Sequence, residues 1–228
     1  MSPVLTNERR VRRARRSLFG ATSHVTAAFA KARKLHVPAG FRGPRWLSVA
    51  IGILLLVQMA TGILLSLHYS PDPNSAYAST RTILGEITAG WLVRAVHRWA
   101  GELLLAGVLA HVFVVFFRRA YARPRQLQWV FAFFLLQVTL GFRFTGRLLP
   151  WDGPGVDAAR RGLDLLEAVP VFGPLVATWL RGGAEIGPNS LGRFYTTHVL
   201  ILPWVGLVLL VVHGWFLRRH GLKDGGAR

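Results

Sequence analysis

The sequence predicts an all-α membrane protein, a four-helix transmembrane bundle with short amphipathic helices in its last loop. Hydrophobic residues make up 52% of the 228 residues, and charged residues only 17%. The apolar residues fall into four runs, each long enough to cross a hydrocarbon core of roughly 30 Å, which takes about 20 helical residues. Leu, Val, Ile and Phe occupy every side of these runs, which favours spanning helices over surface helices.

The four predicted spans divide the chain into three regions. In chain order, the first to fourth spans are Trp46–Tyr69, Gly90–Phe117, Leu127–Pro150 and Phe194–Leu217. They form a transmembrane domain of residues 46–217, between a basic segment of residues 1–45 and a tail of residues 218–228. The loop before the fourth span contains two amphipathic stretches, Ala158–Ala168 and Val171–Leu180, which we expect to lie along the membrane interface.

Basic residues are distributed unevenly between the two sides of the membrane. Residues 1–45, 118–126 and 218–228 hold 11, 4 and 4 Lys and Arg, whereas the loops after the first and third spans hold 1 and 4. The positive-inside rule places both termini on the cytoplasmic, or n, side of the cell membrane and the other loops on the p side. The net charge of +18 follows this topology and does not indicate nucleic-acid binding. The run Arg9–Arg16 is interpreted as a polybasic tail near anionic lipid, or as a solvated run without a specific role.

The absence of cysteine limits the chemistry that the chain can support. Without thiols there are no disulfides, no thiolate-held iron–sulfur clusters, no covalent c-type haem and no cysteine nucleophile. Histidine is left as the main soft ligand, and the chain has 8 of them.

The second and fourth spans each carry two histidines at helical spacing. His111 follows His97 at a spacing of fourteen residues, and His213 follows His198 at a spacing of fifteen. These spacings correspond to about 21 and 22 Å of rise and to net rotations of about −40° and +60°, so each pair faces broadly one way at two depths. Because both spans cross in the same direction, we expect His97 level with His198 near the p side. His111 then lies level with His213 near the n side.

Two facing imidazoles at one depth can bind the iron of a flat macrocycle from both axial sides. The two pairs therefore indicate two haems, stacked roughly 20 Å apart by the helical rise. Taken singly, a histidine inside a membrane is as often a hydrogen-bonded packing residue, but four at matched spacing favour iron ligation. The other histidines lie outside the spans or at their edges and are interpreted as surface or interface residues, with a quinone contact as the alternative for the last two: His24, His36, His68 and His220.

Small and basic residues near the p-side pair fit this interpretation. Gly62 and Gly146 lie at that depth, and glycine permits the close backbone approach that a macrocycle between helices needs. Arg94, one turn before His97, is interpreted either as a partner of a haem propionate or as an arginine that extends to the membrane interface.

Two further charges, Glu102 and Arg143, lie at membrane depth in the second and third spans. Such charges are costly in a bilayer unless they are paired or hydrated. We hypothesise an ion pair between them. The alternative is that each side chain faces a partner subunit or extends toward the interface.

Several motifs accompany these histidines along residues 35–222. They are Gln58–Gly62, Gly90–Trp99, Pro124–Arg125, Thr145–Gly146, Leu149–Asp152, Leu180–Gly183, Arg193–Tyr195 and Leu202–Trp204. With these motifs the chain resembles cytochrome b of the quinol-oxidising bc-type complexes. The fifteen-residue histidine spacing resembles the short four-helix form, cytochrome b6.

This resemblance implies an electron-transfer subunit of a Rieske/cytochrome b complex rather than an enzyme by itself. It implies quinol oxidation near the p side, with one electron passing to a Rieske iron–sulfur protein and a cytochrome c-type acceptor. The other electron would cross through two non-covalent b-type haems to a quinone site near the n side. The resemblance also implies a separate subunit for the C-terminal half of cytochrome b, and a dimeric complex. Arg218 matches a basic residue near the n-side quinone region.

The chain departs from the family pattern around the n-side haem. Ser48 and Ala132 stand where the family has glycines, although both are still small. Val114 replaces an arginine, so the resemblance leaves Arg118 as the expected propionate partner. Leu54 stands where the extra covalent haem of the b6 form needs a cysteine, and that haem is therefore not expected.

A second departure affects the p-side quinol pocket. The family's aromatic pair is replaced by Val156 and Asp157, followed by Arg160 and Arg161. This difference keeps open a second hypothesis, in which the chain is the di-haem membrane anchor of another quinone-linked dehydrogenase or reductase. A haem-free structural subunit is the third hypothesis.

Overall fold

A computed structural model describes the backbone of residues 45–117, Tyr121 and residues 126–220, and the side chains within this part except Arg45 and residues 217–220. Most of the predicted basic segment and C-terminal tail, and the junction between the second and third spans, lie outside the described residues. The division into three regions therefore stays a prediction.

The described residues are helical and contain no β-strand. In chain order, the helices are α1 (Arg45–Ser66), α2 (Ala76–Gly85), α3 (Gly90–Phe117), α4 (Gln126–Leu148), α5 (Gly153–Glu167), α6 (Gly173–Arg181), α7 (Pro188–Thr196) and α8 (Leu202–His220), with a π-helical segment at Thr197–Ile201. Helices α1, α3 and α4 are the first three spans. The fourth is the continuous run from α7 through the π-helical segment into α8, and all four are long and apolar enough to cross a membrane. The predicted fold class is confirmed.

The fourth span begins earlier than the hydropathy of the sequence suggests. Its helix starts at Pro188, six residues before the predicted start at Phe194. Proline suits the first helical position because its backbone has no N–H to satisfy and its φ is already helical. The Ser190 hydroxyl accepts the Gly187 N–H at 3.0 Å and closes this first turn.

The loop before the fourth span forms the two predicted amphipathic helices, α5 and α6. Helix α5 begins at Gly153, five residues earlier than predicted, because the Asp152 carboxylate accepts the Gly155 N–H at 2.7 Å and caps the helix. Helix α6 ends at Arg181 and is followed by Gly182, whose φ of +71° is the left-handed conformation that glycine adopts readily. Both helices pack on the end of the bundle through a buried cluster that includes Leu148, Leu163 and Phe194.

The spans pack in chain order, with α1 against α3, α3 against α4, and α4 against α8. At the end of the bundle that carries α5 and α6, the Tyr69 hydroxyl donates to the Leu149 carbonyl at 2.5 Å, and its ring stacks on Tyr195. This contact joins the first, third and fourth spans.

The hypothesised ion pair between the second and third spans is present. Arg143 Nε lies 2.7 Å from Glu102 Oε1. The two charges compensate each other locally, which makes their position at membrane depth tolerable.

Candidate functional site

The bundle brings the four span histidines together in the two predicted pairs. The ring centroids of His97 and His198 are 6.4 Å apart, and those of His111 and His213 are 5.5 Å apart. Each pair joins the second span to the fourth, at two different depths. The other pairing, within one span, is prevented by a helical rise of about 21 Å.

Two threonines fix the orientation of the rings in the His97–His198 pair. Thr61 Oγ1 lies 2.9 Å from His97 Nδ1, and Thr145 Oγ1 lies 3.0 Å from His198 Nδ1. Each hydroxyl donates its single proton to the carbonyl four residues earlier, Val57 at 2.6 Å and Gly141 at 2.7 Å. The hydroxyl oxygen is then free to accept, so the Nδ1–H of each imidazole donates to it. This assignment leaves Nε2 without a hydrogen and able to bind a metal.

The glycines that follow these threonines lie directly against the two rings. A Cβ atom added at Gly146 would lie 2.7 Å from His198 Cε1, and one added at Gly62 would lie 3.3 Å from His97 Cε1. The predicted glycines therefore make room first for the imidazoles. The same Thr-Gly arrangement occurs twice, once on the first span toward His97 and once on the third span toward His198.

The His111–His213 pair has buried polar atoms without protein partners. Nδ1 of His111 and both ring nitrogens of His213 are buried and lack a hydrogen-bond partner in the described part of the chain. Leaving buried polar atoms unpaired is unfavourable. A group bound between the two rings would satisfy at least one nitrogen of His213.

The π-helical segment explains how the fifteen-residue spacing in the fourth span matches the fourteen-residue spacing in the second. In this segment the Leu202 N–H donates to the Thr197 carbonyl, five residues back. A π-turn of this kind absorbs one extra residue, so fifteen residues rotate about as far as fourteen do in a plain α-helix. The net rotation is then about −40° rather than the +60° that an unbroken helix predicts. Pro203 follows at once and has no N–H to continue the α-helical pattern.

The residues present fit a haem bound by two imidazoles at each pair. Among the described residues, no group of three or more His, Cys, Asp or Glu side chains could hold a metal ion. Each pair supplies two ligands, and a macrocycle would complete the coordination of iron. Two imidazoles bound to opposite sides of one metal have centroids roughly 6 Å apart, because metal–nitrogen bonds are about 2.0 Å. The centroid separations of 6.4 Å for His97–His198 and 5.5 Å for His111–His213 lie on either side of this value.

The other predicted site residues are Arg94, Ser48, Ala132, Arg118 and Arg218. Arg94 lies partly buried one turn before His97 and has no ion-pair partner in the described part of the chain, so its propionate role stays a prediction. Ser48 is exposed on the first span, whereas Ala132 is fully buried on the third. Arg118 lies outside the described residues, and Arg218 lies in α8 with its side chain outside the described part.

Four functional candidates were missed from the sequence: Thr61, Thr145, Gln58 and Trp129. The Gln58 amide donates to the His97 carbonyl at 2.8 Å and joins the first and second spans beside the ring. The indole N–H of Trp129, one turn before Ala132, is buried without an acceptor among the described residues and is available to a bound polar group. The repeated Thr-Gly dipeptide was the available signal, since each threonine precedes a predicted haem-side glycine by one residue.

Comparisons with known proteins agree with this arrangement. Residues 43–221 match the family model described as Cytochrome b/b6/petB. Cytochrome b6 of Gloeobacter violaceus is 37% identical over 171 residues, which cover 75% of this chain and 80% of the relative. Cytochrome b6 of Mastigocladus laminosus is 36% identical over 168 residues, which cover 74% of this chain and 78% of the relative.

A chain of a hyperthermophilic respiratory complex III has a similar fold, with a TM-score of 0.73 and 25% sequence identity. The match covers 93% of this chain and 58% of that chain, so this chain spans little more than half of its length. The family match covers the four spans and all four paired histidines. The chain belongs to the cytochrome b/b6 family.

Proposed function

We propose that this chain is the di-haem cytochrome b subunit of a quinol-oxidising bc-type complex and that it carries electrons across the membrane. The observation that carries the proposal is the presence of two histidine pairs at two depths, each joining the second span to the fourth. Membership of the cytochrome b/b6 family and similarity to the complex III chain support it.

Each pair would hold one non-covalent b-type haem, which supplies one-electron redox chemistry when bound. The imidazole Nε2 atoms of His97 and His198 would bind the iron, with His111 and His213 in the same role at the other depth. Thr61 and Thr145 hold the first two rings through Nδ1 and thereby keep Nε2 free. In a membrane, the apolar spans around the pairs would keep water away from them.

We further propose that the His97–His198 pair lies near the p side and the His111–His213 pair near the n side of the cell membrane, with both termini in the cytoplasm. The proposed partners are a Rieske iron–sulfur protein, a subunit for the C-terminal half of cytochrome b and a cytochrome c-type acceptor, in a dimeric complex. Quinol and quinone are the proposed substrates of the assembled complex.

The surroundings of residues 156–161 favour a second candidate, the di-haem anchor of another quinone-linked dehydrogenase or reductase. Asp157 and Arg160 are exposed on α5 and lie 3.4 Å apart, so they form a surface pair. Val156 packs on the buried cluster below. An aromatic wall for a quinol pocket is therefore missing from these positions of α5.

A redox titration of the purified membrane complex tests the proposed function. We expect two b-type haems for each copy of this chain by pyridine haemochrome assay, with two separate midpoint potentials. Quinol should reduce both haems in the presence of a Rieske protein that purifies with the chain. Two haems with a different redox partner would favour the anchor, and a complex without haem would leave only a structural role.

The threonine contacts predict a measurable effect on the haem at the His97–His198 pair. Thr145→Val removes the acceptor of the His198 Nδ1–H, which makes the imidazole a weaker electron donor. We expect the midpoint potential of that haem to rise and its retention to fall by about 10–100-fold, as for other hydrogen-bond partners of metal ligands. Thr61→Val should act similarly on His97.

Thr139→Val is the matched control for this prediction. Thr139 is also buried on the third span, and its hydroxyl donates only to the Leu135 carbonyl at 2.8 Å. If Thr139→Val moved the same midpoint as far as Thr145→Val, the contact with His198 would not be the cause.

A further inference from the structure

Polar groups lie exposed on the outward face of the third span, where lipid would surround an isolated chain. Arg143 keeps 47% of its side chain exposed and Glu102, from the second span, keeps 35%. Gln137 and Leu140 are exposed on the same span at three-residue intervals before Arg143, and residues at this interval are neighbours on a helix. We call this set of four residues the Arg143 face.

The Arg143 face lies at the depth of the histidine pairs, well inside the bilayer. Gly146 contacts the ring of His198, and Arg143 lies three residues from Gly146, or about 4.5 Å deeper. Gln137 lies nine residues from Gly146, or about 13.5 Å deeper. That position is between the two pairs, which are roughly 20 Å apart by helical rise.

The ion pair with Glu102 leaves most donors of Arg143 unmet. The contact joins Arg143 Nε to Glu102 Oε1 at 2.7 Å, and the guanidinium has no other residue as a partner in the described part of the chain. The amide of Gln137 likewise has no hydrogen bond within the described part of the chain. Lipid tails cannot accept these hydrogen bonds, so an isolated chain would expose several unsatisfied donors to hydrocarbon.

We propose that the Arg143 face is the docking surface for a transmembrane helix of a partner subunit that presents a carboxylate or amide oxygen to the Arg143 guanidinium. This proposal rests on the proposed function, since it requires a multi-subunit membrane complex. The free groups select the occupant, because the N–H groups of Arg143 and Gln137 without a contact outnumber the free acceptor oxygens, Glu102 Oε2 and Gln137 Oε1, and therefore need acceptors from outside. A second copy of this chain would bring the same donors face to face, with each Glu102 carboxylate already engaged by its own arginine.

Site-specific photo-cross-linking in the purified complex identifies the occupant. A benzophenone amino acid replaces Leu140, which is 43% exposed at the centre of the face. We expect a covalent adduct with another transmembrane subunit that is present in equal amount to this chain. An adduct with a second copy of the chain, or with lipid alone, would overturn the proposal.

Substitutions separate recognition by the partner from the intrachain ion pair. In Arg143→Gln, we expect the amount of partner that purifies with the chain to fall at least about tenfold, as expected when one member of a buried charged contact is removed. The double variant Glu102→Arg with Arg143→Glu restores an ion pair but moves the free donors to the second span. It should keep the two haems and still lose the partner.

The exposed Arg81→Gln, outside the spans on α2, is the control and should keep the full set of subunits. If both Arg143 variants kept the full amount of partner, the docking proposal would be overturned. The proposed function would still stand in that case, provided that the spectrum showed two haems. A wild-type complex without haem would instead contradict the proposed function, so the two failures are distinguishable.

Discussion

Gly146→Val is expected to remove the haem proposed at the His97–His198 pair as completely as loss of the ligand in His198→Leu would. A Cβ atom at position 146 would lie 2.7 Å from His198 Cε1, closer than nonbonded carbon atoms approach. The ring cannot simply move away, because Thr145 on the same helix holds its Nδ1 at 3.0 Å. The side chain would therefore push the imidazole out of line with His97.

The haem content and the midpoint potentials of the purified complex measure this effect. We expect one b-type haem in place of two, with the midpoint of the His111–His213 site retained. Gly62→Ala should be milder, since its Cβ would lie 3.3 Å from His97 Cε1 and a small ring shift relieves the contact. Gly52→Val on the first span is the control, because nothing lies within 4 Å of its added Cβ. Two intact haems in Gly146→Val would show that the ring tolerates the displacement.

Hydropathy and helical spacing were sufficient to predict the bundle and its histidine pairs. The second span has the predicted bounds, Gly90–Phe117. A membrane-spanning helix must make all its backbone hydrogen bonds within itself, so the helix extends over the whole apolar run. The pairing of His97 with His198 followed from rise per residue and from the shared direction of two spans. The Glu102–Arg143 pair followed from the same count of depth.

Features that depend on local backbone chemistry were missed. Helix α2, Ala76–Gly85, is a short helix outside the membrane that buries only Ala76, Thr80 and Ile83, too few residues for a hydropathy signal. The roles of Thr61 and Thr145 depend on a hydrogen bond across helices that a single sequence does not reveal.

The π-helical segment was also missed, because its five residues lie inside one continuous helical run. Only the mismatch between the fourteen- and fifteen-residue histidine spacings signals it, since an unbroken helix would turn His213 about 100° further than His111 turns. The histidine spacing of the fourth span is one residue longer than that of the second span, and the π-turn accommodates this extra residue in the backbone.

Removing one residue between the two histidines of a span is therefore expected to have opposite outcomes in the two spans. Deletion of Leu200, within the π-helical segment, reduces the spacing from His198 to His213 to fourteen residues, which an ordinary α-helix holds in phase. Leu200 is 55% exposed, so little packing is lost. We expect this variant to retain both haems.

Deletion of Leu109 is the matched experiment in the second span. Leu109 is also an exposed leucine, but the span from Gly90 to Phe117 is α-helical throughout and has no π-turn to absorb the change. His111 would rotate by about 100° and shift by about 1.5 Å relative to His97, so one of the two haems should be lost. Pyridine haemochrome assays of the two purified complexes compare them directly. Equal loss of haem in both variants would mean that the π-helical segment does not hold the register of the fourth span. Retention of both haems only after deletion of Leu200 would show that the segment does hold this register.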